Sequence, residues 1–176
     1  MTGYTIRRTI ESDAAVIARH RVSMFRDMGE VPTQALAAEL FEASQAALAA
    51  LLREGSYVGW LAVAAHDEVL GGAGVHIKPT LPRITHEGLV AAGPLPLAVN
   101  VYTEPGSRRR GIARALMQAM MQWAKIQGFD RLLLHASDGG RPLYRSLGFA
   151  PTNEMRWSID GRESNRNSSA DPSNPC

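Results

Sequence analysis

Three consecutive arginines, Arg108, Arg109 and Arg110, stand directly before Gly111-Ile112-Ala113. They follow the polar stretch Glu104-Pro105-Gly106-Ser107 and precede apolar residues at Ile112, Leu116, Met120 and Trp123, which repeat with the period of an amphipathic helix. The first N–H groups of a helix have no partner inside it, and the helix dipole puts partial positive charge there, so anions bind readily. Gly111 removes a side chain where a ligand would approach the backbone, and Ala113 adds only a methyl group. The arginines add charge suited to a phosphate or pyrophosphate. A nucleotide P-loop and a dinucleotide fingerprint are both excluded, because the segment lacks a Gly-Lys-Ser/Thr ending and three spaced glycines. His86, Glu87 and His135 are titratable groups elsewhere that could take up a proton, and the first two could also hold a cationic substrate.

The elements that must position these residues read as follows. Tyr4 to Ile10 is a β-branched first strand, with Ser12 or Asp13 as the N-cap of a helix over Ala14 to Met28 that stops at Gly29. Pro32 and Thr33 open a second helix that stops at Gly55. Strands over Tyr57 to Ala65 and Val69 to Ile77 form a hairpin through His66-Asp67-Glu68, and Gly71, Gly72 and Gly74 mark a bulge or a close approach. Residues 78–95 are rich in proline and glycine and lack a period, which makes them a functional or mobile loop. Pro96 to Thr103 is a strand leading into the basic turn and its helix. A strand over Asp130 to Ala136, a short helix from Gly139 or Gly140 to Leu147, and strands over Phe149 to Thr152 and Met155 to Ile159 complete the domain. Residues 161–176 hold no large apolar side chain and read as a disordered polar tail.

Read as Arg-x-x-Gly-x-Ala, residues 108–113 resemble motif A of the GCN5-related N-acetyltransferases, the GNAT superfamily, and Pro105 stands where many members carry proline. Leu143-Tyr144-Arg145-Ser146-Leu147-Gly148-Phe149 is similar to the motif B pattern L-Y-x-x-x-G-F. Two motifs in the right order and at the right separation are far more specific than either alone. The resemblance implies one α/β (α+β) domain over residues 1–160, with a mixed central sheet of about seven strands flanked by about four helices. It implies an acetyl-CoA-dependent N-acetyltransferase in which a primary amine of a small molecule or peptide attacks directly within a ternary complex. A non-catalytic acyl-CoA-binding or sensing domain on the same fold is the alternative.

The same resemblance assigns roles. Backbone groups of Val101, Tyr102 and Thr103 would hold the pantetheine arm between two splayed strands, and an N–H near Val101 or Tyr102 would meet the thioester oxyanion. The pyrophosphate would sit on the segment Arg108, Arg109, Arg110, Gly111, Ile112, Ala113 and Arg114. Tyr144 stands at the general-acid position. Ser137 replaces the asparagine of many members, Ala113 the commoner second glycine, and Leu97 the glutamate base of some. The base is then water, His86, Glu87 or His135, the last also readable as a neutral histidine buried in the sheet. The acceptor wall comes from the first two helices and the 78–95 loop, with Met28, His86 and Glu87 as candidate substrate contacts.

The chain of 176 residues is long enough for one domain that buries about two-thirds of its unfolded surface. Hydrophobic residues make up 45%, without an uninterrupted apolar run of the roughly 20 residues that span a bilayer and without a signal-peptide core. A cytoplasmic protein without membrane partners is expected. Cys176 is the single cysteine, which excludes an intrachain disulfide and a cysteine metal site, and no metal is expected. The net charge of +2 makes the arginine cluster local, which favours a small phosphate ligand over nucleic acid. The resemblance also admits a homodimer.

Overall fold

The computed structural model describes residues 3–85, 87–155 and 157. Five strands form the main sheet in the order β1 (Tyr4–Arg8), β2 (Tyr57–Ala64), β3 (Val69–Lys78), β6 (Leu95–Thr103) and β7 (Leu133–Leu134). The first four pair antiparallel, and β6 and β7 pair parallel. Helix α3 (Ile112–Ile126) covers one face, while α1 (Ala14–Asp27) and α2 (Gln34–Arg53) cover the other. Strand β2 is buried along almost its whole length because it lies between these two layers, so its sequence reads as a continuous apolar run. Val58, Trp60 and Ala62 point to the α3 core, and Tyr57 points to the α1–α2 core.

Helix α3 buries the stripe that its periodicity predicts. Ile112, Leu116 and Met120 are fully buried with Met117, and Trp123 packs edge-on to Trp60 with ring centroids 5.7 Å apart. Helices α1 and α2 end as expected at Gly29 (φ 73°) and Gly55 (φ 74°), in the left-handed geometry that glycine adopts without strain. Thr33 caps α2 by accepting from the Leu36 N–H at 3.2 Å. At α1 the expected N-cap bond is absent. The Asp13 carboxylate instead accepts from the Ile10 N–H and, through both oxygens at 2.8 Å, from the Arg7 guanidinium. By length and composition α2 is apolar enough to cross a bilayer, with a mean hydropathy of 1.4. Glu39, Glu42 and Gln45 interrupt that apolarity, and α2 lies against α1 as a layer over the sheet.

The hairpin at residues 66–68 forms, with His66 and Asp67 both at φ 60°. Other expectations are corrected. Residues 78–95 contain a two-stranded hairpin, β4 (Arg83–Ile84) with β5 (Val90–Ala91), closed by Thr85, which exchanges hydrogen bonds with Leu89. Two-residue strands are too short for any period to reveal. Residues 149–152 form no strand, because the Phe149 N–H turns back to the Tyr144 carbonyl and its ring packs edge-on to Tyr144. Met155 and Trp157 are exposed and outside any strand, and the rest of the expected last strand and the 161–176 tail lie outside the described residues. The fifth expected strand shrinks to Leu133–Leu134, since pairing with β6 stops there.

Gly74 is the close approach that the β3 glycines signalled, because a Cβ there would overlap the hydroxyl and ring of the buried Tyr57. Gly74→Ala should therefore destabilise by about 1–3 kcal/mol through overpacking, lowering Tm by roughly 2–12 °C in a thermal melt. The hydrogen bonds from Arg7 hold the Asp13 carboxyl below its usual range, against the opposing effect of burial. A depressed folded pKa contributes stability above the unfolded value of about 3.9 and loses it as pH falls through the folded value. Melts across pH should accordingly show an Asp13→Asn deficit at neutral pH that shrinks in acid. A deficit constant with pH would assign the effect to packing alone.

Candidate active site

The site is built around an irregularity in β6. Between Gly74↔Val99 and Gly72↔Tyr102 the pairing advances three residues on β6 against two on β3, so β6 bulges at Asn100, whose φ is 55°. The bulge reverses the facing of the strand. Val99 and the Asn100 side chain point to the α1 side, and Val101 packs with the α3 core. On its other edge β6 pairs with β7 only through Leu97↔Leu133 and Ala98↔Leu134. From Val99 to Thr103 that edge has no ladder among the described residues, so backbone groups there are left without a strand partner and can receive an extended ligand. Val101, Tyr102 and Thr103 are on this stretch. The Tyr102 side chain is buried against His20, with ring centroids 5.1 Å apart, so what these residues offer a ligand is backbone.

Past the end of β6 the chain makes one turn of 3-10 helix at Pro105–Ser107 and then alternates Arg108 (φ −66°), Arg109 (φ 60°) and Gly111 (φ 78°) before α3 begins. Among the described residues, the N–H groups from Arg109 to Arg114 have no hydrogen-bond partner. They form an anion-binding nest joined to a helix N-terminus. A Cβ on Gly111 would meet no atom of the chain within 4 Å, so glycine is favoured there by its positive φ and not by crowding within the chain.

The four arginines divide by task. Arg108 donates from Nε to the Thr103 carbonyl at 3.1 Å, pairs with Asp27 at the end of α1, and lies over the Tyr102 ring, so its side chain braces the turn. Arg114 donates to Ser146 Oγ at 2.7 Å and ties α3 to α4 (Arg141–Ser146). Arg109 and Arg110 are exposed and, among the described residues, make neither ion pair nor hydrogen bond. These two are the cations left to face an anion.

Helix α4 brings Tyr144 beside Ser137. The Ser137 carbonyl accepts from the N–H groups of Gly140 and Arg141 at 3.0 and 3.1 Å, which starts the helix. A Cβ on Gly140 would lie 2.7 Å from the Tyr144 ring and 3.3 Å from Ser137 Oγ, so this glycine makes room for the ring. Burial pushes the Tyr144 phenol up from its ordinary range, and it holds its proton at neutral pH. Leu97 sits at the β6–β7 pairing and offers no base.

The remaining sequence candidates are not gathered here. His135 is exposed, not buried in the sheet, with Nε2 4.0 Å from Glu154, because β7 ends before it. Met28 is 37% exposed at the C-cap of α1. Glu87 is exposed at the tip of the β4–β5 hairpin, whose base is tied to Asp130 by Arg83, and His86 lies outside the described residues. The described residues contain no group of three side chains able to hold a metal.

Three residues escaped sequence reasoning. Arg21 Nη1 donates to Asn100 Oδ1 at 2.8 Å, and Asn100 Nδ2 donates to Tyr57 Oη at 3.3 Å, forming a chain of polar groups behind the bulge. Burial pushes the Tyr57 phenol to about 12. The available signal was Asn100 itself, a polar residue able to adopt positive φ inside an otherwise apolar strand. Nearby, burial and then Arg19 push His20 down to about 4, so it is neutral, and its Nε2 lies 3.2 Å from Glu104 without hydrogen-bond geometry.

This cleft, nest and tyrosine can be set beside known proteins. The Acetyltransferase (GNAT) family model matches residues 22–149. A GCN5-related N-acetyltransferase from Ralstonia eutropha JMP134 superposes with a TM-score of 0.79 at 30% identity, over 90% of this chain and 100% of that one. A predicted acetyltransferase from Clostridium acetobutylicum, crystallised with acetyl-CoA, gives 0.73 at 24% identity over 88% and 95%. An aminoglycoside N-acetyltransferase in complex with CoA gives 0.62 at 17% identity over 88% and 93%. No curated protein matches the sequence. A turn with unpartnered N–H groups, two strands parting beside it, and a sequence match across most of the chain together place the protein in the GNAT family of acetyltransferases.

Proposed function

We propose that this protein is an N-acetyltransferase that moves the acetyl group of acetyl-CoA to a primary amine of a small molecule or peptide, by direct attack within a ternary complex. The observation that carries the reading is the run of unpartnered N–H groups from Arg109 to Arg114 at the mouth of the β6–β7 cleft. Two diphosphate charges fit that run and the cations of Arg109 and Arg110, and the unpaired edge of Val101 to Thr103 fits an extended amide-bearing arm. Acetyl-CoA, the co-substrate of the family, supplies an acetyl thioester in that position.

The residues then act on charge. A backbone N–H of Val101 or Tyr102 faces the developing oxyanion, where one preorganised donor is worth roughly 3 kcal/mol. As the amine nitrogen bonds to the carbonyl carbon and the carbon–sulfur bond breaks, the proton on Tyr144 Oη passes to the sulfur. The raised phenol pKa keeps that proton available at neutral pH. Leu97 removes the strand carboxylate that could take the amine proton; water accepts that proton, and a proton from solvent restores the Tyr144 phenol for the next turnover. Ser137 offers one hydroxyl beside Tyr144 for the arm.

Two variants test this. Acetyl-CoA at 100 times its Kd should stabilise the wild type by about 2.7 kcal/mol, a shift of several degrees in Tm. Gly111→Glu, with a carboxylate projected into the nest, should abolish that shift, on top of a lower intrinsic Tm from the side chain strained at positive φ. Tyr144→Phe should keep the shift while kcat for thiol release falls by about 10²-fold or more. An unchanged kcat in Tyr144→Phe would remove the tyrosine from the chemistry. A shift without turnover of any amine would leave an acyl-CoA-binding domain in place of an enzyme.

A further inference from the structure

Arg21 is a half-buried cation that the fold does not account for. It projects from the sheet-facing side of α1, donates from Nη1 to Asn100 Oδ1 at 2.8 Å, and lies 4.8 Å from the centroid of the Phe25 ring. A guanidinium carries five N–H donors. Asn100 takes one, and the others have no hydrogen-bond partner among the described residues. Neither does any described carboxylate pair with it. Asp27, the one acid on α1, is paired with Arg108, and Asp13 is paired with Arg7. Glu104 faces His20.

Support of the bulge does not explain the charge. The Asn100 carbonyl oxygen needs a single donor, which a neutral side chain could provide without the cost of partly burying a cation with no counter-ion. That burial already lowers the guanidinium pKa. Its position matters as well. The diphosphate nest begins at Arg109, past the end of β6, whereas Arg21 is held at Asn100, beside the residues that would meet the oxyanion. A phosphate in the nest is therefore not its partner. Phe25 makes a cation–π contact with the guanidinium and Asn100 anchors one end of it, and a planar fork with free donors matches a carboxylate bidentately.

We infer that Arg21, held in place by Phe25 and Asn100, binds a carboxylate on the acetyl acceptor, so that the acceptor is a small amino-acid-like amine. This rests on the transferase reading above and deepens it. A polycationic acceptor such as an aminoglycoside would meet Arg19, Arg21 and Arg26 on α1 and no unpaired carboxylate on that helix. The negative end of a short amino acid neutralises Arg21 while its amine reaches the acetyl group at the bulge.

Thiol release from acetyl-CoA should be followed with the proteinogenic L-amino acids, β-alanine and 4-aminobutyrate, each beside its primary amide and its decarboxylated amine. The acid should exceed its amide in kcat/KM by at least about 30-fold for the preferred member. Arg21→Gln, which keeps a donor for Asn100, should erase that preference through KM and leave the acetyl-CoA melt shift unchanged. Arg21→Lys should retain part of it. Amides accepted as well as acids would overturn the proposal, and so would an Arg21→Gln loss shared equally by acids and amides. Should acetyl-CoA bind and no amine react, the transferase reading fails by itself. The same compounds are then melt ligands for the CoA-saturated protein. A carboxylate-dependent shift lost in Arg21→Gln sustains the anion site, and its absence in the wild type overturns it.

Discussion

The bulge at Asn100 is the constraint on which the site depends. A strand that continued regularly would present Val101 and Tyr102 to the opposite faces and would have no reason to leave its parallel neighbour. One extra residue reverses the facing, bends β6 and ends its partnership with β7 after Ala98. The left-handed backbone at Asn100 is unfavourable for a residue with a side chain, and it is stabilised by burying that side chain between Arg21 and Tyr57. Tyr57 in turn needs the empty space at Gly74. Four residues from four different elements therefore maintain one irregular peptide.

The basic turn before α3 is coupled to the same framework from both sides. Arg108 joins the Thr103 carbonyl to Asp27, so the end of α1 and the end of β6 share one brace. Arg114 reaches Ser146 on α4, the helix that carries Tyr144. The nest itself uses no side chain except the empty one of Gly111, and its donors are peptide groups already pointed outward. Such donors need no reorganisation when charge arrives, which makes a backbone nest effective even on an exposed surface.

Tyr144 and His20 are both kept uncharged by burial, in opposite senses. Tyr144 keeps its proton because its phenolate would be desolvated, and His20 stays without a second proton for the same reason. Against this neutral background the guanidinium of Arg21 is a fixed charge hydrogen-bonded directly to the bulge residue Asn100.

The amino-acid sequence by itself determined what depends on neighbours in the chain. The stripe of α3 follows from a period of 3.6 residues. The stops at Gly29 and Gly55 follow from positive φ, and the turn before α3 follows from Arg-x-x-Gly-x-Ala, because each involves residues within a few positions of one another. Tertiary structure alone decided where the β6–β7 pairing stops, the contacts of Arg108 with Asp27 and Thr103, the exposure of His135, and the loss of a strand at Phe149 to packing on Tyr144. It alone assembled Arg21, Asn100 and Tyr57. Arg21 and Asn100 are 79 residues apart, Asn100 and Tyr57 43, and Arg108 and Asp27 81. Interactions of that span depend on which elements pack together, and no local period or propensity encodes them.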